Sequence, residues 1–140
     1  MKDLFSILLR EEFDYRGQHR APGPKEGSPL YDVTLNGIYP DDVYSRQGKS
    51  YYGDGESYDS INFMILNKYR NKPDATLTIF RGVPKNINDI NTGDWVTINR
   101  QYAQTHVSGE KGYKVISKTV KARDIYTEGN SLSEWGYYPT

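Results

Sequence analysis

The sequence predicts a single α+β domain on three observations. Helical patterns fall in the first half of the chain and strand patterns crowd the second, a segregation that disfavours a βαβ repeat. At 140 residues the chain is long enough to bury one core without cross-links or metal. The hydrophobic fraction is only 36%, but an aromatic fraction of 14%, with 13 Tyr, supplies the missing bulk. The domain is therefore taken as 1–140, with a helix and irregular segment over 1–56 and the core over 57–140.

Each element has its own signal. Asp3 to Phe13 carries Leu4, Phe5, Ile7, Leu8, Leu9 and Phe13 at a spacing closer to a helical face than to alternation, which predicts a short N-terminal helix. From Asp14 to Asp54, turn-forming runs such as Ala21-Pro22-Gly23-Pro24 and Tyr39-Pro40-Asp41-Asp42 oppose long regular elements. A loop of that length with so many tyrosines is expected to pack on something. Ser57 to Lys72 reads as the main helix, stopped by Pro73, with Tyr58, Ile61, Ile65 and Tyr69 as its inner stripe and Asn62, Lys68 and Asn71 on the wet side.

The strands follow. Ala75 to Arg81 alternates, with Leu77, Ile79 and Arg81 on one face and Thr76, Thr78 and Phe80 on the other. A loop is expected over Gly82 to Thr92, a short strand over Asp94 to Ile98 and a helical turn or two over Asn99 to His106. Tyr113 to Val120 reads as a strand and Ala122 to Tyr126 as a connector or strand. After the Gly129-Asn130-Ser131 turn, Glu134 to Tyr138 reads as the last strand. There is no internal repeat.

Composition narrows the function. Cysteine is absent, which removes disulfides and thiolate metal sites and fits a reducing cytoplasm. No apolar run approaches the ~20 residues that cross a bilayer, and Phe5 to Leu9 is too short for a signal segment, so the expectation is a cytoplasmic protein outside the membrane. Net charge is zero, yet residues 1–60 carry 7 basic and 11 acidic side chains and residues 61–140 carry the reverse, 11 and 7. The resulting −4 and +4 could reflect ordinary solvated faces or a basic half that attracts phosphate. Neither a Walker-type glycine loop nor metal-ligand spacing occurs, and His19 and His106 alone do not make a Ser-His-Asp set.

Three segments could carry chemistry. In Phe80-Arg81-Gly82 a guanidinium ends a strand as a fork of donors for phosphate or carboxylate, and the glycine allows close approach. The same Arg could equally pair with a core-edge carboxylate. In Val96-Thr97-Ile98 the Thr alternates away from its apolar neighbours toward the surface shared by Trp95 and Asn99, with Tyr102 and His106 behind. A Thr there is also simply a good β-former. In Ser133-Glu134-Trp135 a carboxylate opens a strand, where it could hold a ribose hydroxyl or stabilise a cationic sugar transition state, or sit as an exposed edge charge. Arg16, Arg20 and the tyrosines of the loop could stack a nucleotide or unpaired nucleic-acid bases, or form a small core of their own.

In order, these segments resemble the ADP-ribosyltransferase family of the arginine, serine, glutamate class, over about residues 57–138. Phe80-Arg81-Gly82 matches its arginine strand, Val96-Thr97-Ile98 its Ser-Thr-Ser segment and Glu134 its catalytic glutamate. Val96 and Ile98 stand in place of both serines, and Leu132 stands where arginine-modifying members carry Glu or Gln. Arg81 to Tyr138 also looks like a domain of large phage polyvalent proteins. The resemblance implies a split β-sheet core and NAD as substrate, with Arg81, Gly82, Thr97 and Tyr102 on the cofactor side and Glu134 catalytic. It further implies transfer to a host macromolecule in the host cytoplasm. A competing expectation is a non-catalytic phage protein that inhibits a host protein by occupying its surface.

Overall fold

The computed structural model describes residues 20–140. The helix expected over Asp3 to Phe13, and Tyr15, Arg16 and His19, lie outside the described residues. Helices and antiparallel sheets together make an α+β fold. The strands are β1 (Ser28–Pro29), β2 (Thr76–Pro84), β3 (Trp95–Val96), β4 (Tyr113–Lys121), β5 (Ile125–Thr127) and β6 (Trp135–Tyr137). The helices are α1 (Gly48–Tyr52), α2 (Asp59–Lys68) and α3 (Arg100–Val107). One sheet runs β1-β5-β6-β3 and a second is the β2-β4 ladder. They meet at one antiparallel bridge, Phe80 to Thr97, where each residue's N–H donates to the other's carbonyl at 2.8 and 2.9 Å.

The ladder follows the alternation in its sequence. Leu77 and Ile79 are buried while Thr76 and Thr78 face out, and the pairing runs from Thr76 with Lys121 to Pro84 with Tyr113. Gly82 does not open a loop as expected: β2 continues through it to Pro84, and Gly82 pairs with Val115. β4 has the expected start and runs one residue further, to Lys121. The expected strand over Asp94 to Ile98 contracts to Trp95–Val96 plus the bridging Thr97.

The segment read as irregular is irregular over most of its described length, but it carries β1, α1 and 3-10 turns at Leu35–Gly37 and Asp41–Tyr44. It packs as its tyrosines suggest: Leu30, Val33, Tyr39 and Val43 belong to the core. Burial raises the Tyr39 phenol to about 12, with Asp54 adding to the rise. In β6, Gly136 is required because a Cβ there would run into the Pro22 carbonyl, so this strand accepts the incoming chain edge only with glycine.

The inner face of α2 is rotated from the predicted stripe. Asp59, Asn62, Phe63 and Leu66 are buried, whereas Ile61 is exposed and Ile65 only half-buried. Two polar contacts explain the correction. The Asp59 carboxylate accepts from the amides of Asp54, Gly55 and Glu56 at 3.1, 2.8 and 3.2 Å, which fixes the start of the helix. Asn62, at 1% exposure, donates to Ser133 Oγ at 2.7 Å. A buried amide satisfied in this way competes on equal terms with an apolar side chain. Among the described residues, no helix is long and apolar enough to cross a membrane.

Candidate functional site

Glu134 sits at the end of the β5–β6 turn, just before a fully buried Trp135 whose indole N–H donates to the Leu132 carbonyl at 2.8 Å. Gly129, at φ 94, supplies the left-handed residue the turn needs. Ser131 Oγ accepts from the Ser133 amide at 3.1 Å and donates to Asp54 Oδ2 at 2.7 Å, tying the turn to the loop ahead of α2. The Tyr102 hydroxyl donates to Glu134 Oε2 at 2.9 Å.

Electrostatics around that carboxylate pull in two directions. Burial raises the proton affinity of Glu134 above the ordinary carboxylate value, the Tyr102 hydrogen bond opposes the rise, and the charges of Asp54 and Glu128 add to it. Burial, followed by the neighbouring Glu134, pushes the Tyr102 phenol far upward, so the phenol stays a donor. Its ring is buried at 3% exposure, edge-on to Tyr58 at 5.1 Å and tilted on His106 at 4.3 Å.

A network of buried side chains lies beneath this pair. Asn99 caps α3 by accepting from the Tyr102 amide at 3.2 Å, and its side-chain N–H donates to the Asn62 amide oxygen at 3.3 Å and the Tyr58 carbonyl at 3.1 Å. Asn62 in turn holds Ser133, the neighbour of Glu134. Thr97, at 3% exposure, accepts from the Asn99 amide at 3.1 Å. Its hydroxyl thus serves the start of α3. His106 is a buried packing residue whose Nδ1 lies 2.8 Å from the Tyr102 carbonyl; a carbonyl only accepts, so that nitrogen carries the proton.

Arg81 belongs to the seam between the sheets. It stands one residue past the Phe80–Thr97 bridge, with a side chain 12% exposed. Its Nη1 donates to the Trp95 carbonyl at 2.6 Å, and its Nε lies 3.8 Å from Asp94 Oδ2. The pleat sets it on the face of Asp94 and Val96, opposite to Phe80 and Thr97. Among the described residues, no hydrogen bond or ion pair joins Arg81 to Glu134.

Of the residues singled out from sequence, the structure brings Tyr102 to Glu134, and connects Thr97 to Tyr102 through Asn99. Gly82 lies inside β2 beside Arg81. Sequence reasoning set Asn62 on the wet side of its helix, named Asn99 only as a surface neighbour of Thr97, and did not single out Asp54. Asn99 had a findable signal, an Asn directly before a helical segment. Among the described residues, no group of three or more His, Asp or Glu is placed to hold a metal ion. No family model, curated protein or solved structure matches the chain.

Proposed function

We propose that the chain is an ADP-ribosyltransferase-like enzyme that breaks the nicotinamide–ribose bond of NAD and transfers ADP-ribose to a macromolecule, centred on Glu134. The observation that carries this is the state of that carboxylate: half-buried, fixed by the Tyr102 hydroxyl at 2.9 Å, and placed directly before β6, in the same sheet as β3. A fixed carboxylate in a partly water-excluded place answers positive charge developing on a sugar ring. The division of the strands into two sheets at one bridge supports the split-sheet core that this family reading requires.

In this reading the bond from ribose C1′ to the pyridinium nitrogen breaks, and its electron pair leaves with nicotinamide, which becomes neutral. The resulting oxocarbenium ion is stabilised by the Glu134 carboxylate, which also accepts the ribose 2′-hydroxyl. The acceptor's nucleophile then bonds to C1′ and releases its proton to solvent. Thr97 and Tyr102 order the site, and Arg81, held at the seam by the Trp95 carbonyl and Asp94, affects NAD binding through the strand that carries the Thr97 bridge. The acceptor is a host protein and the place of action the host cytoplasm, as the likeness to phage domains implies.

Isothermal titration with NAD, followed by mass spectrometry of a bacterial lysate incubated with protein and NAD, tests the reading. NAD binding is expected to fall in Arg81→Ala and persist in Glu134→Ala, and a mass gain of one ADP-ribose on a lysate protein is expected with wild type only. Binding and modification that are equal in all three proteins would contradict it, as would full inhibition of a host protein by Glu134→Ala.

A further inference from the structure

We infer that Tyr102 is the positioning residue of Glu134: its hydroxyl fixes Oε2 and orients the carboxylate so that Oε1 meets the substrate. The inference rests on the reading of Glu134 as the reacting carboxylate. Both partners hang from one buried polar network.

From one side, Asn99 accepts the Tyr102 amide and so fixes the first turn of α3. From the other, Asn62 holds Ser133 Oγ at 2.7 Å, immediately before Glu134. Asn99 and Asn62 are bonded to each other at 3.3 Å and are almost fully buried. The positions of the phenol and the carboxylate are therefore set by the same two amides, and neither partner shifts without disturbing the other. Rotation of the Tyr102 ring is opposed by Tyr58 on one side and His106 on another. Such support is what a site needs if its reacting oxygen is to stay within a fraction of an ångström of productive geometry.

Among the described residues, the titratable groups that act on Glu134 are Tyr102 of α3, Asp54 ahead of α2, and Glu128 from the β5–β6 turn. Burial and the two carboxylates favour a protonated Glu134, and among these influences only the Tyr102 hydroxyl favours the charged form. Tyr102 thus aims the carboxylate and opposes its protonation.

The test uses the full chain with Tyr102→Phe, which preserves the buried ring, and a second protein with 3-fluorotyrosine at position 102, which keeps the hydroxyl and makes it a stronger donor. Glu134 is titrated by carbon-13 NMR of glutamate-labelled protein, its signal assigned by loss in Glu134→Gln. Nicotinamide release from NAD is followed against pH in parallel, with exposed Tyr51→Phe as control. In Tyr102→Phe, the Glu134 titration and the acid limb of kcat should move up together. There kcat should fall about tenfold or more while KM for NAD stays within about twofold. The fluorinated protein should move both titrations down, a response that loss of packing cannot produce. If the Glu134 titration is unmoved by either change in a protein that releases nicotinamide, the role of Tyr102 is overturned and the enzymatic reading stands. A wild type that releases no nicotinamide overturns that reading and the positioning role of Tyr102 with it.

Discussion

Glu134 and Arg81 both sit at strand ends in the sequence, yet the fold treats them in opposite ways. Among the described residues, the carboxylate meets one neutral hydroxyl, two neighbouring carboxylates and partial burial, and its proton affinity rises. The guanidinium is tied to a backbone carbonyl and stands near Asp94 on the opposite pleat face. The first environment disfavours the charged form of the group it surrounds; the second pairs the charge it holds. A strand-end charge is thus not enough to mark a reacting group, and what surrounds it decides.

Substitutions sharpen this contrast, beginning with the largest effect. Trp135 is fully buried beneath Glu134, and Trp135→Ala should lower stability by about 3–5 kcal/mol in urea unfolding. A loss under 1 kcal/mol would mean that Glu134 has no rigid base. Asn62→Leu strips Ser133 and Asn99 of a buried partner and should cost about 2–3 kcal/mol, measured the same way. Were it neutral or stabilising, the polar network would not be what holds the Tyr102–Glu134 end.

The Arg81 end should respond less. Arg81→Lys keeps the charge but loses the fork aimed at Trp95 and Asp94, and should cost about 1 kcal/mol. The smallest effect concerns pH. Because the folded chain holds the Glu134 proton more tightly than the unfolded chain, its contribution to stability is complete below the ordinary value of 4.5 and is lost as pH rises through the folded value. Glu134→Gln should flatten the decline in urea midpoint above that pH, and a steeper decline would reverse the sign of the shift.

Part of the fold was legible because the start of β2 alternates between buried and exposed residues. Leu77 and Ile79 marked β2, since a solvated face and a core face impose a period of two, and the run from Tyr113 onward marked β4. β1, two residues including a proline, has no such pattern and exists because β5 pairs with it. The face of α2 was misread because the signal that buries Asn62 lies 71 residues away at Ser133, beyond the reach of any local periodicity. For the site, Glu134, Thr97 and Tyr102 were each visible as residue types in suggestive places. Their connection through Asn99 was not, because it depends on how α3 docks against the turn before β6.

The most direct measurement is nicotinamide release from NAD by wild-type protein and by Glu134→Gln, after both are shown to be folded and to bind NAD. Wild type should release nicotinamide, and Glu134→Gln should bind NAD and release none above background. Equal release by the two proteins would contradict the assignment of Glu134 as the reacting carboxylate.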